Sequence, residues 1–436
     1  MSLSVAPELL ADPKLPTLTR AMNTDYILQQ VRSLRPGRIL PGECCIENVR
    51  FKPGQKCLLY FRLTAEDGSP MPPMVARVYP QGKAKGHYEK ARITGSGRVF
   101  LIPELELVAW QYPAERKLKE LEVFNGGSEF VNLIEEALKG EFSKPLSLSE
   151  LDMTCMHYLP ELSYTVRVRG QVTSESSLSY PFTIYAKMYY DRAGARTFTV
   201  MQELQSANQG GNFVTAEPLL YSASHRLLIQ KGIDLATDPS ELEKNQIVSA
   251  WQEFAETDVP SAGIVLLSDL EEQLEQIFRM TNYLIPQLSS HLTCVLKRIE
   301  EKLPALDGAL SGTLHGDLHP GNCLRSRSGK IAFVDLDGVK RGPVALDRGS
   351  YTAYLMNDAL CREQNVKVAY EKGLNLALTA TPSAARHSEL RACRIATAVC
   401  LVTERYKRGI TRLKASNIGH LAQLLGLAEA CLSGEL

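Results

Sequence analysis

Two short stretches hold most of the residues able to do chemistry. LHGDLHPGN (314–322) packs two histidines, an aspartate and an asparagine into nine residues, and KIAFVDLDG (330–338) runs an apolar strand into two acids. The histidines raise the question of a metal site, but the other six of the eight are dispersed, and a histidine site wants further ligands nearby. Phosphoryl chemistry needs a carboxylate to orient or deprotonate an attacking hydroxyl, oxygen ligands for Mg²⁺ on the phosphates, and a cation to steady the nucleotide. Asp317 can supply the first. Asn322, five positions later across a Pro-Gly turn, offers an amide oxygen to a metal. Asp335 follows Asp317 by eighteen positions (335 − 317), at the end of a buried strand, where a second Mg²⁺ ligand belongs.

These residues must be positioned by the rest of a 436-residue chain, long enough for two or three domains. Lys+Arg 49 against Asp+Glu 49 leaves no cationic surplus, which argues against nucleic acid as a partner. No run reaches the roughly 18 apolar residues of a membrane span, and the N-terminus lacks the pattern of a signal peptide. The ten cysteines form no CxxC pair, the usage expected of reduced cysteine in a cytoplasmic protein rather than of a zinc site.

Three regions separate. Residues 1–148 and 149–236 both mix strand-like runs with turns, and 237–436 is mainly helical with a strand-like patch at 311–337. RFKPGQKCLLYFRLT followed by PMVARVYPQGKA in the first region parallels HYLPELSYTVRVRGQV followed by FTIYAKMYYDRAGA in the second. A duplicated β-hairpin unit accounts for this, and so do two hairpins alike only in composition. In the helical region Ser240 with Glu243 three positions on reads as a capping box.

The chain has no GxxxxGK[ST], HExxH or GxSxG, and the GSG at 95–97 lacks the third glycine of a dinucleotide fingerprint. HGDLHPGN followed by FVDLDG resembles instead the aminoglycoside phosphotransferase and choline kinase family, whose loop reads HGDxxxxN and whose metal segment reads IDFE or IDWD. The resemblance covers roughly 149–360. It implies an α+β, bilobal protein-kinase-like fold with an antiparallel β N-lobe at 149–236 and a mainly helical C-lobe at 237–436. If the extra α+β domain at 1–148 is a degenerate N-lobe copy, Arg77 stands where Lys187 stands, and the domain is expected to be non-catalytic: a cap over the cleft, an interaction surface or a dimer contact.

The same resemblance assigns roles. Asp317 becomes the catalytic base, and Asn322 and Asp335 metal ligands. Asp337 is either a further ligand or a cap for the loop. Lys187, at the end of the strand run FTIYAKMYY, pairs with Glu203 on the following helix to hold the nucleotide. Gln230, Lys231 and Gly232 form the interlobe linker. His315 is scaffold, His319 loop scaffold or a phosphate neighbour, and Asp347 in GPVALDRGSY a structural acid bonding the N–H groups of the loop. A glycine-rich phosphate loop is missing, so Ser163 and nearby backbone would cover the phosphates. This puts ATP against GTP in question, with Mg²⁺ as the metal.

The expected activity is phosphoryl transfer from ATP to the hydroxyl of a small molecule. The alternative is a kinase-like regulatory protein that binds nucleotide, or a nucleotidyl transferase. A protein kinase is disfavoured by HGD in place of HRD. Within 386–414, Arg391, Arg394, Arg405, Arg408 and Arg412 fall on one stripe if the segment is a single helix, and Ile395, Val399, Val402, Tyr406 and Leu413 on another face. The stripe is either a solvated basic face or a site for an acidic substrate, and it disfavours polycationic aminoglycosides.

Overall fold

In the computed structural model the described residues are 6–34, 40–94, 98–142, 147–173, 178–208, 210–236, 244–415 and 417–436. The GSG turn and the Ser240/Glu243 capping box lie outside them.

The chain opens with three short helices, α1 (Pro7–Leu10), α2 (Leu18–Ala21) and α3 (Thr24–Leu34). A five-stranded sheet follows: β1 (Pro41–Lys52), β2 (Lys56–Ala65), β3 (Pro70–Val78), then helix α4 (Ala84–Thr94), then β4 (Val99–Ile102) and β5 (Leu107–Gln111). Helix α5 (Ser128–Leu138) links it to a second sheet with strands β6 (Ser147–Leu159), β7 (Ser163–Thr173) and β8 (Ser179–Tyr189). Helix α6 (Ala193–Ala207), β9 (Phe213–Thr215), β10 (Pro218–Ser222) and β11 (Leu227–Lys231) complete this region.

The two sheets share one plan. Their strand orders are β1-β2-β3-β5-β4 and, read from the other edge, β6-β7-β8-β11-β10, all antiparallel, with a helix leaving the third strand in each. The registers agree as well. Arg77 sits opposite Val108, the second residue of β5, and Lys187 opposite Leu228, the second residue of β11. The extra N-terminal unit therefore repeats the strand order and register of the second sheet.

The C-lobe is helical: α7 (Lys244–Glu256), α8 (Leu267–Leu284), α9 (Ser289–Lys302), α10 (Ala345–Cys361), α11 (Val366–Thr379), α12 (Arg386–Cys400), α13 (Lys407–Thr411) and α14 (Ile418–Ser433). Pro286 separates α8 from α9, since proline lacks the N–H that would continue the helix. The strand-like patch forms two small sheets. In one, β13 (Ser311–Leu314) pairs with β16 (Lys340–Pro343), which also pairs with β12 (Gly263–Ile264). In the other, β14 (Cys323–Arg325) and β15 (Ile331–Phe333) join β9. No helix of the described residues is long and apolar enough to cross a membrane. All ten cysteines are free.

Period-two alternation sorts each central strand into two faces. In the second sheet Val166, Val168, Ile184, Ala186, Met188 and Ile229 are buried against Leu121, Phe130 and Ile134 of the preceding segment. Lys187 and Tyr185 therefore lie on the opposite face. One face of the first sheet, with Val49, Phe51, Leu59, Phe61 and Ala76, shares a core with α1–α3 and with C-lobe residues such as Ile277 and Val399.

A buried charge cluster joins the two sheets. Glu161, at the tip of the β6–β7 hairpin and 3% exposed, receives Arg116 at 2.6 Å, Arg77 at 3.1 Å and Lys56 at 3.4 Å. Desolvation works to raise the Glu161 carboxyl, but these cations outweigh it and hold its pKa down at about 2. Arg77, at the position equivalent to Lys187, thus grips the neighbouring sheet's hairpin. Removing one partner of such a cluster leaves buried charges uncompensated and costs about 3–5 kcal/mol. Glu161→Gln should lower stability by that order in urea unfolding at pH 7. Because the folded pKa lies below the ordinary 4.5, the carboxylate's contribution is complete above pH about 4.5 and is lost as pH falls toward about 2. The wild-type advantage over Glu161→Gln should shrink through that window, and an advantage constant with pH would contradict the account.

Candidate active site

The loop after β13 is anchored from below. Asp347, in the first turn of α10, accepts the His315 N–H at 2.6 Å and the Gly316 N–H at 2.9 Å. Desolvation pushes its carboxyl up to about 7, with the two N–H groups opposing that rise. His315, fully buried, donates from Nε2 to the Val334 carbonyl at 2.9 Å and so ties this loop to the strand carrying the acids. Its Nδ1 is buried with no partner among the described residues, and desolvation lowers its pKa. Gly316 has φ +80, and a Cβ there would stand 2.0 Å from the Gly338 carbonyl oxygen. Only glycine lets the two loops touch at this point.

Asn322 donates its amide N–H to the Asp317 carbonyl at 3.0 Å, while its own carbonyl accepts the Val334 N–H at 3.2 Å. Asp317 keeps its carboxylate partly exposed (36%), with the Arg408 guanidinium 3.9 Å away. His319 accepts the Gly321 N–H and stacks on Tyr354, its ring centroid 5.0 Å from the tyrosine's. These contacts hold the ring between the loop and α10.

Across the cleft, Lys187 reaches both acids of the second motif. Its ammonium donates to Asp335 at 2.8 Å and to Asp337 at 2.7 Å. Desolvation pulls its pKa down, but Asp337 and Asp335 outweigh this and leave it above the ordinary lysine value. Desolvation likewise raises Asp335, and Lys187 more than reverses it. Asp335 itself is left-handed (φ 60, ψ 60). Asp337 accepts from the Tyr189 hydroxyl at 2.7 Å and from Thr197 at 3.3 Å, so both readings of this acid, ligand and loop cap, find contacts here.

Two expectations are corrected. Lys187 and Glu203 do not pair: Glu203 accepts the Ser261 N–H at 2.9 Å and the Ser261 hydroxyl at 2.6 Å. At about 100° per residue, Glu203 lies some 120° around the helix from Thr197, the residue that faces the acids, and about 9 Å along it. The basic stripe over 386–414 does not form either, because Leu401–Tyr406 is π-helical and its wider turn shifts the phase. Arg405 is buried against Glu404 and Tyr354, Arg391 is exposed on α12, and Arg408 and Arg412 lie beyond the break. The apolar face, Ile395 to Leu413, is buried throughout.

Ser163 starts β7 on the same side of the strand as Thr165, which sits opposite Lys187, but it is only 7% exposed. The N–H groups of Lys231 and Gly232 are taken by the carbonyls of Glu217 and Thr183, so neither is free to bind a base. Gln230 lies within β11 opposite Tyr185. A cleft of about 700 Å³ borders the linker, lined by Thr183, Tyr185, Gly232 and Asp234 among others. Tyr189, Thr197 and Arg408 complete the cluster. Tyr189 and Thr197 escaped the sequence reading: alternation from Lys187 would have found Tyr189, and nothing in the sequence points to Thr197. Arg408 belongs to the basic segment, but its place beside Asp317 is not legible there.

Among the described residues no three His, Cys, Asp or Glu side chains form a ready metal cluster. The oxygens still fit a hard cation. One ammonium nitrogen bridges Asp335 and Asp337 at hydrogen-bond distance, so a small cation in its place would reach both carboxylates.

Residues 239–382 match the model of the phosphotransferase enzyme family. No curated protein sequence matches the chain. Among solved structures, it is similar to an aminoglycoside phosphotransferase in complex with AMP-PNP and hygromycin B (TM-score 0.46, 13% identity, 69% of this chain and 97% of that one). It is also similar to an ethanolamine kinase from Plasmodium vivax (0.47, 10%, 74% and 98%). A third is choline kinase LicA from Streptococcus pneumoniae (0.40, 12%, 69% and 99%).

The anchoring of the loop is open to test. In Asp347→Asn one oxygen still accepts an N–H, while the amide NH₂ confronts the other donor. A buried donor left unpaired costs about 1–3 kcal/mol. Urea unfolding should show that loss; stability equal to wild type would mean the two N–H groups do not depend on Asp347.

Proposed function

We propose that this chain, with the phosphotransferase family segment at residues 239–382, transfers the γ-phosphoryl group of ATP to a hydroxyl of a small molecule. The observation carrying the proposal is the convergence at one cleft of Asp317 and Asn322 from the loop, Asp335 and Asp337 from the next strand end, and Lys187 from the other lobe. In this reading Asp317, partly exposed, receives or orients the acceptor hydroxyl, and Arg408 keeps a cation beside it. Asn322, Asp335 and Asp337 would hold Mg²⁺, which when bound neutralises phosphate charge. Lys187 turns from the acids toward the phosphates, and the nucleotide base lies beside Tyr185 and the linker. ATP is preferred to GTP here only by analogy with the family.

One observation favours the second reading, a kinase-like protein that binds nucleotide without transferring phosphate. The lysine–glutamate pair needed in protein kinases is absent, with Glu203 committed to Ser261. A screen of the purified protein with ATP·Mg²⁺ against a library of hydroxyl compounds separates the two readings.

Asp317→Asn should abolish acceptor-dependent ADP release, by about 10² or more, and leave ATP·Mg²⁺ binding intact, because the base acts on the acceptor. Near wild-type turnover in this variant would remove Asp317 from the mechanism. Asp335→Ala should diminish the Mg²⁺-dependent thermal shift produced by ATP. An unchanged shift would mean that the metal is held elsewhere.

A further inference from the structure

A second cleft, of about 680 Å³, opens between the β1–β2 hairpin of the N-terminal unit, helix α8 and the end of the C-lobe's basic segment. Cations from three places in the chain line it: Arg50, Lys56 and the exposed Lys52 from the hairpin, Arg279 from α8, and Lys407 and Arg412 from α13 and just beyond. No acid does.

Surface cations are ordinarily paired or solvated, and these divide accordingly. Arg279 pairs with Glu275 and Lys56 with Glu161. Arg50, Lys407 and Arg412 are half-buried and form no ion pair among the described residues. Arg50 donates to the Pro160 carbonyl, and Arg412 to the Asn48 side chain and the Val49 carbonyl, all neutral acceptors. The nearby carboxylate of Asp12 is committed to the Gly54 and Lys14 N–H groups and the Tyr283 hydroxyl. Desolvation, then Arg50 and Arg408, push Arg412 down to about 10, and desolvation lowers Lys407. Arg50 feels the carboxylates of Glu161 and Glu115, but no acid offsets the desolvation of Lys407 and Arg412. Charges partly withdrawn from water in this way are costly, and an anion entering the cleft would relieve that cost.

The cleft also adjoins the site already described. Lys407, Arg408 and Arg412 lie within about one and a half helical turns. Lys407 and Arg412 face the cleft, while Arg408 reaches Asp317 at 3.9 Å. His157 feels Asp335, Lys187 and Arg412 together, so the nucleotide residues and the cationic cleft lie within one electrostatic neighbourhood. A volume of several hundred cubic ångströms suits a metabolite, and guanidinium forks suit phosphate and carboxylate oxygens.

We infer that this cleft binds the anionic end of the acceptor, a small hydroxyl compound bearing a phosphate or carboxylate group. The inference rests on the phosphotransferase reading above. The N-terminal unit thereby gains a part in substrate recognition through Arg50, and cationic acceptors such as amino alcohols and aminoglycosides are disfavoured by charge.

Calorimetric titration of the full-length protein with pyrophosphate, glycerol 3-phosphate and malate, against choline and spermidine, tests it. Wild type should bind at least one anion, more weakly as salt is raised, and neither cation. Lys407→Gln with Arg412→Gln should weaken anion binding tenfold or more while leaving the ATP·Mg²⁺ thermal shift unchanged. The charge-preserving pair Lys407→Arg with Arg412→Lys should stay within a few-fold of wild type and guards against a folding defect. Anion binding equal in wild type and the Gln pair overturns the inference, as does preference for choline or spermidine, or no anion binding by a cooperatively melting wild type. Acceptor-dependent ADP release separates the two proposals. Its KM should rise in the Gln pair, and its rate should vanish in Asp317→Asn with anion binding kept. Cleft-dependent anion binding without ADP release by wild type from any bound hydroxyl probe would overturn the phosphotransferase reading and the acceptor role, while retaining the anion site.

Discussion

The ammonium of Lys187 between the carboxylates of Asp335 and Asp337 is the contact on which the geometry of the site depends. It joins residues 148 and 150 positions apart and bridges the second sheet to the C-lobe. Without a cation there, two acids two residues apart at the end of a strand would repel. The segment also carries Asp335 in a left-handed conformation, a cost of about 1–3 kcal/mol for a non-glycine residue. The ammonium offsets the repulsion, and Tyr189 and Thr197 pin Asp337 from strand and helix. The arrangement has the charge logic of a cation site, with the protein's own cation in it.

The N-terminal unit shows what the same position does under different surroundings. Arg77 and Lys187 share strand, register and charge, but Arg77 meets Glu161 of a neighbouring hairpin rather than acids at a strand end. Its role is accordingly structural. The guanidinium helps hold the tip of the β6–β7 hairpin, where a glycine-rich phosphate loop is missing. That hairpin is thus held from outside by Arg77, Arg116 and Lys56. The other hairpin, β1–β2, carries Arg50 to a cleft that it shares with α8 and the Lys407–Arg412 segment.

Much of the site was legible because its decisive residues are close in sequence and obey local rules. Asp317, Asn322 and Asp335 fall within nineteen residues, and the turn, strand and acid pattern leaves little freedom in their arrangement. Asp347 was legible only through the resemblance of GPVALDRGSY to a family segment. The shared strand plan was visible as paired strand runs, although the equivalence of Arg77 and Lys187 in register needed the ladders themselves.

The amino-acid sequence by itself determined the chemistry available: which acids, amide and lysine exist, and which spacings let short loops present them. Tertiary structure alone decided which charges meet. Glu203 could not be assigned to Ser261, because a helix's rotation about its axis is set by packing, and one helical face differs from another by only a residue or two. The arginines of 386–414 could not be sorted, because a π-helical turn at 401–406 shifts the phase of everything after it. Arg50, Lys407 and Arg412 are more than 350 positions apart at the extremes, and their common cleft exists only once the first sheet packs on the C-lobe. Charge acts over ångströms in space and not over positions in a chain, so pairing and its absence are properties of the fold.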